Sequence, residues 1–495
     1  MRLSADVAVV AGLTLAGALL RLLTLGGESL WYDEAAMYHL VQGSWREVLA
    51  ANAVGNSSPP VFPLLLGALT GPDSSEAALR APAALAGILS IPAAWLLARE
   101  FVDSPWALLA PLLTALSPVQ VEYSQEVREY SLSFLAACCL LIAWARFLRE
   151  ATPRHAALVA LSSVAAVCIQ YGTALLAAGA NLVFVAFAAW ERAPVARWRL
   201  WLASQLPLAV AGIALYVTTM SSQLGHAAVG GGGYWYLLDR YWDGSIAGLR
   251  TLLTADRADF IHFAFPGKAL FALVVIGAIA GVVDRRFRHA TALLVAPTAV
   301  TIAAALAQAY PFGGIRQNMY LAPMVYVAAA VGLAAIAGWL RPRAGTATAW
   351  AVVAVTVGAL AWIGASRSWR LTQGAGAEPM REVAAELVRQ VDPGDVIYVY
   401  AGAQPAFRYY WRNRPEPWIA GSPHASGLDP EVARRQMMQV QSELLALVDE
   451  RRPYWLVGSH LDEDDGLELV ARLRERAAVN VTLGRGGSFL LRVTP

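Results

Sequence analysis

Two adjacent carboxylates, Asp33 and Glu34, lie between aromatic residues and alanines in the stretch WYDEAA, just after a long apolar run. An acid at a membrane boundary costs desolvation free energy unless it is paired or solvated, so such groups are candidates for function. A carboxylate of this kind can accept a proton as a general base. The alternative is that both acids cap the following helix, where negative side chains stabilise the first turn.

A second acidic motif, EYSQEVREY, occupies residues 122–130 between two apolar runs. In a helical conformation Glu122, Glu126 and Glu129 would share one face. The alternative is an ordinary hydrated turn with local ion pairs. We favour a functional role, because three acids and one arginine in so short a turn are unusual. The candidate residues of this motif are Glu122, Glu126, Arg128 and Tyr130.

A third polar motif, PFGGIRQNMY, covers residues 311–320. Its two glycines permit a tight backbone, and Arg316 and Gln317 follow them. A guanidinium group can hold a phosphate through two parallel N–H donors. The alternative for Arg316 is snorkelling towards the membrane interface. Lys268, the chain's only lysine, is a second candidate for binding a phosphate, and Trp31 and Tyr32 are candidates for contact with a substrate.

The composition indicates the kind of scaffold that must position these groups. The chain has 495 residues, of which 57% are hydrophobic and 15% charged, whereas soluble domains carry about 25% charged residues. A membrane span needs about 20 mostly apolar residues, and about eleven segments qualify. The sequence therefore predicts a polytopic α-helical membrane protein. The segments are 7–25, 80–98, 106–121, 131–148, 156–173, 174–190, 200–219, 268–283, 290–309, 319–340 and 347–366.

Arginine placement predicts the orientation of the chain. With a cytoplasmic N-terminus, most arginines between the segments fall on the cytoplasmic side, as positive residues usually do. The apolar stretch 59–70 is too short to span, so we interpret it as a re-entrant or interfacial helix. Two longer outer loops then cover about 26–79 and 220–267. All three polar motifs lie on this outer side.

The composition changes after residue 370, where helical and strand-like patterns alternate. This alternation predicts a small α/β domain. The expected division is a transmembrane domain over residues 1–370 and an extracytoplasmic α/β domain over 371–495. The net charge of +2 gives no reason to expect a nucleic-acid partner. No cofactor is indicated by a motif, although the acidic clusters could hold a divalent cation.

Taken together, the motifs resemble those of the GT-C membrane glycosyltransferases, in the branch of protein O-mannosyltransferase-like, aminoarabinose transferase-like and rhizobial galacturonosyltransferase-like enzymes. The resemblance rests on WYDEA, on SPP opening a short apolar helix, on ALRAPAALAGILSIPAAWLLARE (78–100) and on LSPVQVEYSQEVREYSL (116–132). It covers roughly the first 200 residues. The later segments match in layout only.

The resemblance implies an enzyme that transfers a sugar from a polyprenyl-phosphate donor on the outer face of a bacterial-type plasma membrane. It also implies that Asp33 is the catalytic base, with Glu34 beside it and Glu126 and Arg128 as the second motif. Some relatives carry a histidine, at times associated with a metal, where this chain has Ser58, so the metal site stays unassigned. The acceptor could be a protein, a lipid or a cell-envelope glycan.

Direct displacement with one base would invert the anomeric centre, and cations such as Arg316, Arg128 or Lys268 would stabilise the leaving phosphate. Two other classes are consistent with many membrane spans. A transporter or lipid flippase would keep polar residues near the middle of broken helices, whereas these apolar segments are almost free of charge at mid-span. A membrane-anchored binding protein would leave both acidic motifs unexplained.

Overall fold

The computed structural model describes residues 2–229, 235–283, 288–373, 378–423 and 430–495. Up to Leu371 the described chain is helical with short connections. Its helices are α1 (Arg2–Leu22), α2 (Tyr32–Leu40), α3 (Trp45–Gly55), α4 (Val61–Leu69), α5 (Glu76–Arg99), α6 (Leu109–Leu116), α7 (Pro118–Glu122), α8 (Tyr130–Arg149), α9 (Pro153–Ile169), α10 (Thr173–Trp190), α11 (Val195–Leu215), α12 (Ser221–Val229), α13 (Ile246–Ala264), α14 (Lys268–Val283), α15 (Arg288–Leu306) and α16 (Ala322–Leu371).

The apolar segments found in the sequence fall on these helices. By length and composition, six helices of the described chain could cross a membrane, or seven if the bent pair α13–α14 counts as one span. Three further apolar helices are shorter. Helix α16 contains two of the sequence segments and changes direction at Gly345, whose φ of 85° is not helical. The total of about eleven crossings stays a prediction.

The first outer loop contains three short helices, α2, α3 and α4. Ser44 caps α3 by accepting from the backbone N–H of Glu47, whose carboxylate in turn accepts from the backbone of Ser44, which is a capping box. Helix α4 has nine residues and rises only about 14 Å, so it is too short to span a bilayer. This agrees with the non-spanning helix predicted over 59–70.

The second outer loop, expected over 220–267, is mostly helical in its described part. Helix α11 continues through a π-helical turn at Tyr216–Met220 into α12. Helix α13 follows and meets α14 at an angle of 112°. The glycine run at 230–233 lies outside the described residues. Periodicity alone missed α13, because its charged residues interrupt the apolar pattern.

The two described stretches after residue 377, 378–423 and 430–495, fold into four α-helices and a five-stranded sheet. The helices are α17 (Met380–Gln390), α18 (Gln404–Tyr410), α19 (Pro430–Asp449) and α20 (Glu463–Arg474), and the strands are β1 (Val396–Val399), β2 (Ile419–Ala420), β3 (Tyr454–Gly458), β4 (Ala478–Arg485) and β5 (Ser488–Thr494). The strand order is β2-β1-β3-β5-β4. Strands β2, β1 and β3 are parallel, and β5 is antiparallel to β3 and β4.

This α/β part and the first outer loop share one hydrophobic core. Apolar residues of α2, α3 and α4 pack with residues of α17, α18, β1 and β3 in a single buried cluster, with Leu30, Met37, Phe62, Phe407 and Trp455 among its members. Burial of such side chains contributes about 1.5–3 kcal/mol each. The α/β part is therefore fixed against the loop that carries Asp33.

Candidate active site

Asp33 lies in the first turn of α2. Its carboxylate contacts one arginine from each of the other two polar motifs. Its Oδ2 is 2.7 Å from Nη2 of Arg316 and 3.6 Å from Nη2 of Arg128. The Asp33 side chain is 20% exposed, so it is sheltered but reachable. One carboxylate is thus held by two guanidinium groups from segments 95 and 283 residues away (128 − 33 and 316 − 33).

Opposing effects set the charge of Asp33. Burial raises the pKa of its carboxyl group, but the nearby charges of Arg128 and Arg316, with the hydrogen bond from Arg316, outweigh burial and lower the pKa below its ordinary value. The carboxylate is ionised at neutral pH. A base must be ionised to accept a proton, so Asp33 is in the correct state, although its two arginines reduce its basicity.

Arg316 is held by aromatic rings as well as by Asp33. Its guanidinium carbon lies 5.4 Å from the centre of the Trp31 ring and 5.7 Å from that of Tyr130, which are cation–π distances.

The turn that precedes Arg316 is tight, since Gly313 has a φ of 145°. A Cβ on Gly314 would approach the Asp259 carboxylate to 2.7 Å. The two glycines therefore let the chain lie against α13.

Arg128 extends the site towards the SSPP segment. Its Nη1 is 3.5 Å from Oδ1 of Asn56, whose Nδ2 donates to Oγ of Ser58 at 2.8 Å. A polar pocket begins at Arg128. It is lined by Ser57, Ser58, Arg128, Glu129, Tyr130, Gln170, Tyr171, Tyr310 and Gln317.

Glu34 is turned away from Asp33 and is fully buried. Its oxygens accept from Arg80, through Nη2 at 2.6 Å and Nε at 2.8 Å, and from the backbone N–H of Val127 at 2.9 Å. Arg80 also donates to the backbone oxygens of Leu25, Glu28 and Ser29. These contacts favour a structural role for Glu34 over the catalytic one expected from the sequence.

The second motif is not one helix. Helix α7 ends at Glu122 and α8 begins at Tyr130, so the helical conformation in which Glu122, Glu126 and Glu129 would share a face is not formed. Glu122 is exposed. The buried Arg21 of α1 anchors the connecting segment by donating from Nε to Oγ of Ser124 at 3.1 Å.

Glu126 is the unusual acid of this segment. Its Oε2 is buried and has no hydrogen-bond partner among the described atoms. Burial raises its pKa to about 8, with the charges of Glu34 and Glu122 acting in the same direction and those of Arg316 and Arg128 opposing them. Glu126 is therefore mostly a neutral acid at pH 7, within the electrostatic influence of the two arginines that hold Asp33.

Replacing Glu126 with glutamine should change the pH dependence of stability. The pKa of Glu126 is raised in the folded state, so between its ordinary range and about pH 8 only the folded state keeps the proton, and stability falls as pH rises. Glu126→Gln should remove this fall and make the variant more stable than the parent above pH 8. Unfolding temperatures in detergent from pH 5 to 9 measure this. Parallel pH curves for the two proteins would contradict it.

The other candidates are less closely connected to Asp33. The backbone oxygen of Gln317 accepts from Gln170 and Tyr310, each at 3.0 Å, so Gln317 lies beside the polar pocket. Lys268 is exposed at the start of α14. The hydrogen bonds and ion pairs within the described chain do not connect it to Asp33, Arg128 or Arg316.

Two residues of the site that sequence analysis did not select, Glu378 and His460, come from the α/β part. The ring of His460 stacks on Tyr32, with centroids 4.7 Å apart and planes at 14°. Its Nδ1 is 2.8 Å from Oε1 of Glu378, and Oε2 of Glu378 accepts from the backbone N–H of Tyr32 at 3.1 Å. No motif surrounds either residue, Glu378 is 346 residues from Tyr32 and His460 lies further still along the chain, so the sequence held no signal for them.

Within the described residues, no group of three or more His, Cys, Asp or Glu side chains is arranged to hold a metal ion. The sequence left open that acidic clusters bind a divalent cation. In the described part of the chain, these residue types do not form a cluster of three or more ligands for such an ion. The polar groups around Asp33 are mainly arginines, which suit an anionic ligand.

Comparisons with known proteins agree with this architecture. Residues 57–221 match the profile of the family described as dolichyl-phosphate-mannose-protein mannosyltransferase. The structure superposes on ArnT from Cupriavidus metallidurans bound to undecaprenyl phosphate with a TM-score of 0.57 at 14% identity, covering 98% of this chain and 97% of that one. The chain has the GT-C fold. This confirms the predicted polytopic helical architecture with a small C-terminal α/β part.

Two further GT-C structures are similar. The oligosaccharyltransferase of Archaeoglobus fulgidus has a TM-score of 0.53 at 13% identity, with 92% of this chain and 69% of that one covered. The arabinofuranosyltransferase AftD from Mycobacteria has a TM-score of 0.50 at 16% identity, with 98% and 40% covered. No curated protein sequence matches the chain. At these identities the structural likeness establishes the GT-C fold alone.

Proposed function

We propose that this protein is a membrane glycosyltransferase that moves a sugar from a polyprenyl-phosphate donor to an acceptor hydroxyl on the outer face of the membrane. The observation that supports this most strongly is the pairing of one sheltered carboxylate, Asp33, with the guanidinium groups of Arg316 and Arg128. The GT-C fold and the family match to residues 57–221 support this reaction class.

The reaction needs a base and an anion-binding site, and this site has both. Asp33 accepts the proton of the acceptor hydroxyl while that oxygen forms a bond to C1 of the sugar. The bond between C1 and the phosphate oxygen breaks, and its electron pair leaves with the lipid phosphate. Arg316 and Arg128 stabilise this phosphate through charge-assisted hydrogen bonds. Attack opposite the leaving group inverts the anomeric centre.

Asp33 and the donor phosphate compete for the same two arginines. When the phosphate binds them, Asp33 loses cationic partners that lower its pKa, and its basicity increases. Donor binding therefore activates the base. Asp33 can therefore be ion-paired with the two arginines before the donor binds and still act as the base once the phosphate has taken its place.

An apolar cavity whose wall includes Phe312 suits part of the donor's isoprenoid chain. It has a volume of about 360 Å³ and lies among α13, α14, α15 and α16, with Phe260, Phe271 and Phe312 in its wall. Phe312 is four residues before Arg316, so phosphate and lipid sites are adjacent along the chain. The comparison structure of ArnT is described as bound to undecaprenyl phosphate.

Narrowing this cavity should weaken binding of long-chain donors selectively. Ala278 lies in its lining, and Ala278→Phe adds a ring to the space. We expect weaker binding of undecaprenyl phosphate, by about tenfold if one or two kcal/mol of apolar contact is lost, and unchanged binding of a phosphate with a single isoprene unit. Binding isotherms in detergent measure both. An equal loss of affinity for the two ligands would show that the isoprenoid chain of the donor does not bind in this cavity.

The proposed function is tested with purified protein, undecaprenyl-phosphate-linked radiolabelled mannose and a bacterial membrane fraction as acceptor. Release of undecaprenyl phosphate with incorporation of label supports transfer. Arg316→Lys keeps the positive charge but loses the planar fork, and we expect a rate at least tenfold lower. Movement of intact donor across vesicles without cleavage would instead support the transporter alternative.

A further inference from the structure

The α/β part reaches the beginning of α2 through two side chains. Glu378 is 9% exposed, and its two oxygens have different partners, the ring of His460 and the backbone N–H of Tyr32. The N–H of Tyr32 is among the first donors of α2, which have no partner inside the helix. Trp31, at the N-cap position, forms no side-chain cap. Glu34 accepts from the backbone N–H of Trp31 at 3.4 Å, and Glu378, 346 residues away along the chain, caps the next N–H, that of Tyr32.

His460 completes the arrangement from the other side of Glu378. Its ring stacks on Tyr32, and its Nδ1 engages Glu378, so the imidazole is fixed in position and in plane. The residue has a φ of 54°, which is uncommon for a residue other than glycine and is tolerated where surrounding contacts enforce it. The side chain is 46% exposed.

We infer that Glu378 and His460 are positioning residues of the transfer site, which fix the first turn of α2 so that Asp33 meets the acceptor hydroxyl in a reactive geometry. This rests on the proposed glycosyl transfer. Neither residue contacts the reacting atoms in this scheme. Glu378 holds the backbone of Tyr32, His460 holds its ring, and Asp33 is the next residue. The site is thus built jointly by the membrane part and the α/β part.

The pair has a defined pH dependence. The hydrogen bond to Glu378 raises the pKa of His460, burial opposes this, and the charges of Glu378, Asp33 and Asp462 raise it further. Among positively charged side chains, that of Arg316 lies against Trp31, as the imidazole of His460 does. The ion pair is complete below the ordinary histidine range and weakens as pH rises through the raised pKa. Positioning of Asp33 should therefore weaken on the alkaline side.

Turnover of the undecaprenyl-phosphate-linked mannose probe tests the inference. His460→Ala and Glu378→Gln should lower kcat about 10- to 100-fold, because small displacements of a reacting group are costly, while binding of undecaprenyl phosphate stays within twofold. His460→Gln keeps a hydrogen-bond donor and should recover part of the rate without the alkaline dependence. Arg452→Ala removes an exposed ion pair to Glu450 in the same α/β part and serves as the matched control.

A second measurement does not depend on turnover. In protein labelled at histidine rings, the His460 resonance, assigned with His460→Gln, should titrate above the ordinary range, and its midpoint should fall in Glu378→Gln and in Asp33→Asn. If the parent protein shows no turnover but the His460 midpoint still depends on Glu378 and Asp33, the proposed glycosyl transfer is contradicted and the contact between the two parts is not. An ordinary His460 midpoint in all three proteins, or unchanged kcat in both positioning variants, would overturn the inference.

Discussion

Asp33→Asn should lower the rate of sugar transfer by at least about 100-fold while leaving the donor bound. Asparagine is close in shape to aspartate but cannot accept a proton at neutral pH, and loss of a general base lowers rates about 10²- to 10⁴-fold. Binding of undecaprenyl phosphate should tighten, because Arg316 and Arg128 lose the carboxylate that competes with the phosphate. Initial rates with the mannose donor and binding isotherms with undecaprenyl phosphate measure the two effects.

Asp73→Asn is the control for this variant, since Asp73 is an exposed acid of the same outer loop. It should behave as the parent protein does in both assays. Unchanged turnover in Asp33→Asn would exclude Asp33 as the base. Weaker rather than tighter phosphate binding would contradict the competition for the arginines.

Glu34→Ala should destabilise the fold rather than remove a catalytic group. The variant leaves Arg80 buried, at 3% exposure, without its carboxylate partner, and breaking such a buried ion pair costs about 3–5 kcal/mol. The change Glu34→Leu together with Arg80→Leu should cost less than the sum of the two single changes, because no unpaired charge remains. Thermal unfolding in detergent measures the differences.

An exposed ion pair provides the matched comparison. Arg476 and Asp449 are about half exposed, and Arg476→Ala should cost at most about 1 kcal/mol. If Glu34→Ala kept the parent's stability and lost only turnover, the catalytic role expected from the sequence would be the better explanation.

The helical scaffold could be predicted because it depends on local composition. Long apolar runs specify membrane helices through hydropathy alone, and the alternation of helical and strand-like patterns after residue 370 corresponds to the helices and strands of the α/β part. Helix α13 was missed because Arg250, Asp256 and Arg257 break its apolar run. Which side of α13 is buried depends on the helices against which it packs, and the sequence of α13 by itself does not specify those neighbours.

The site could be predicted only where charges stand out against an apolar background. Asp33, Arg128 and Arg316 did so, and the structure brings them together. The difference between Asp33 and Glu34 was not predictable, because it depends on Arg80, which the sequence presents as one residue of an apolar helix. Glu378 and His460 belong to a segment of ordinary soluble composition, so only the tertiary contact identifies them.

The contacts between the α/β part and the first outer loop also determine when the site can form during synthesis. Arg381 donates to the backbone oxygens of Gly26, Gly27 and Glu28, and Ser29 donates to Glu382. Each contact joins residues about 350 positions apart. At roughly 5–20 residues per second, the ribosome needs about 20–70 s to reach the second partner. Until then the loop that carries Asp33 lacks these contacts, so the arrangement around Asp33 cannot form before residues 381 and 382 have been synthesised.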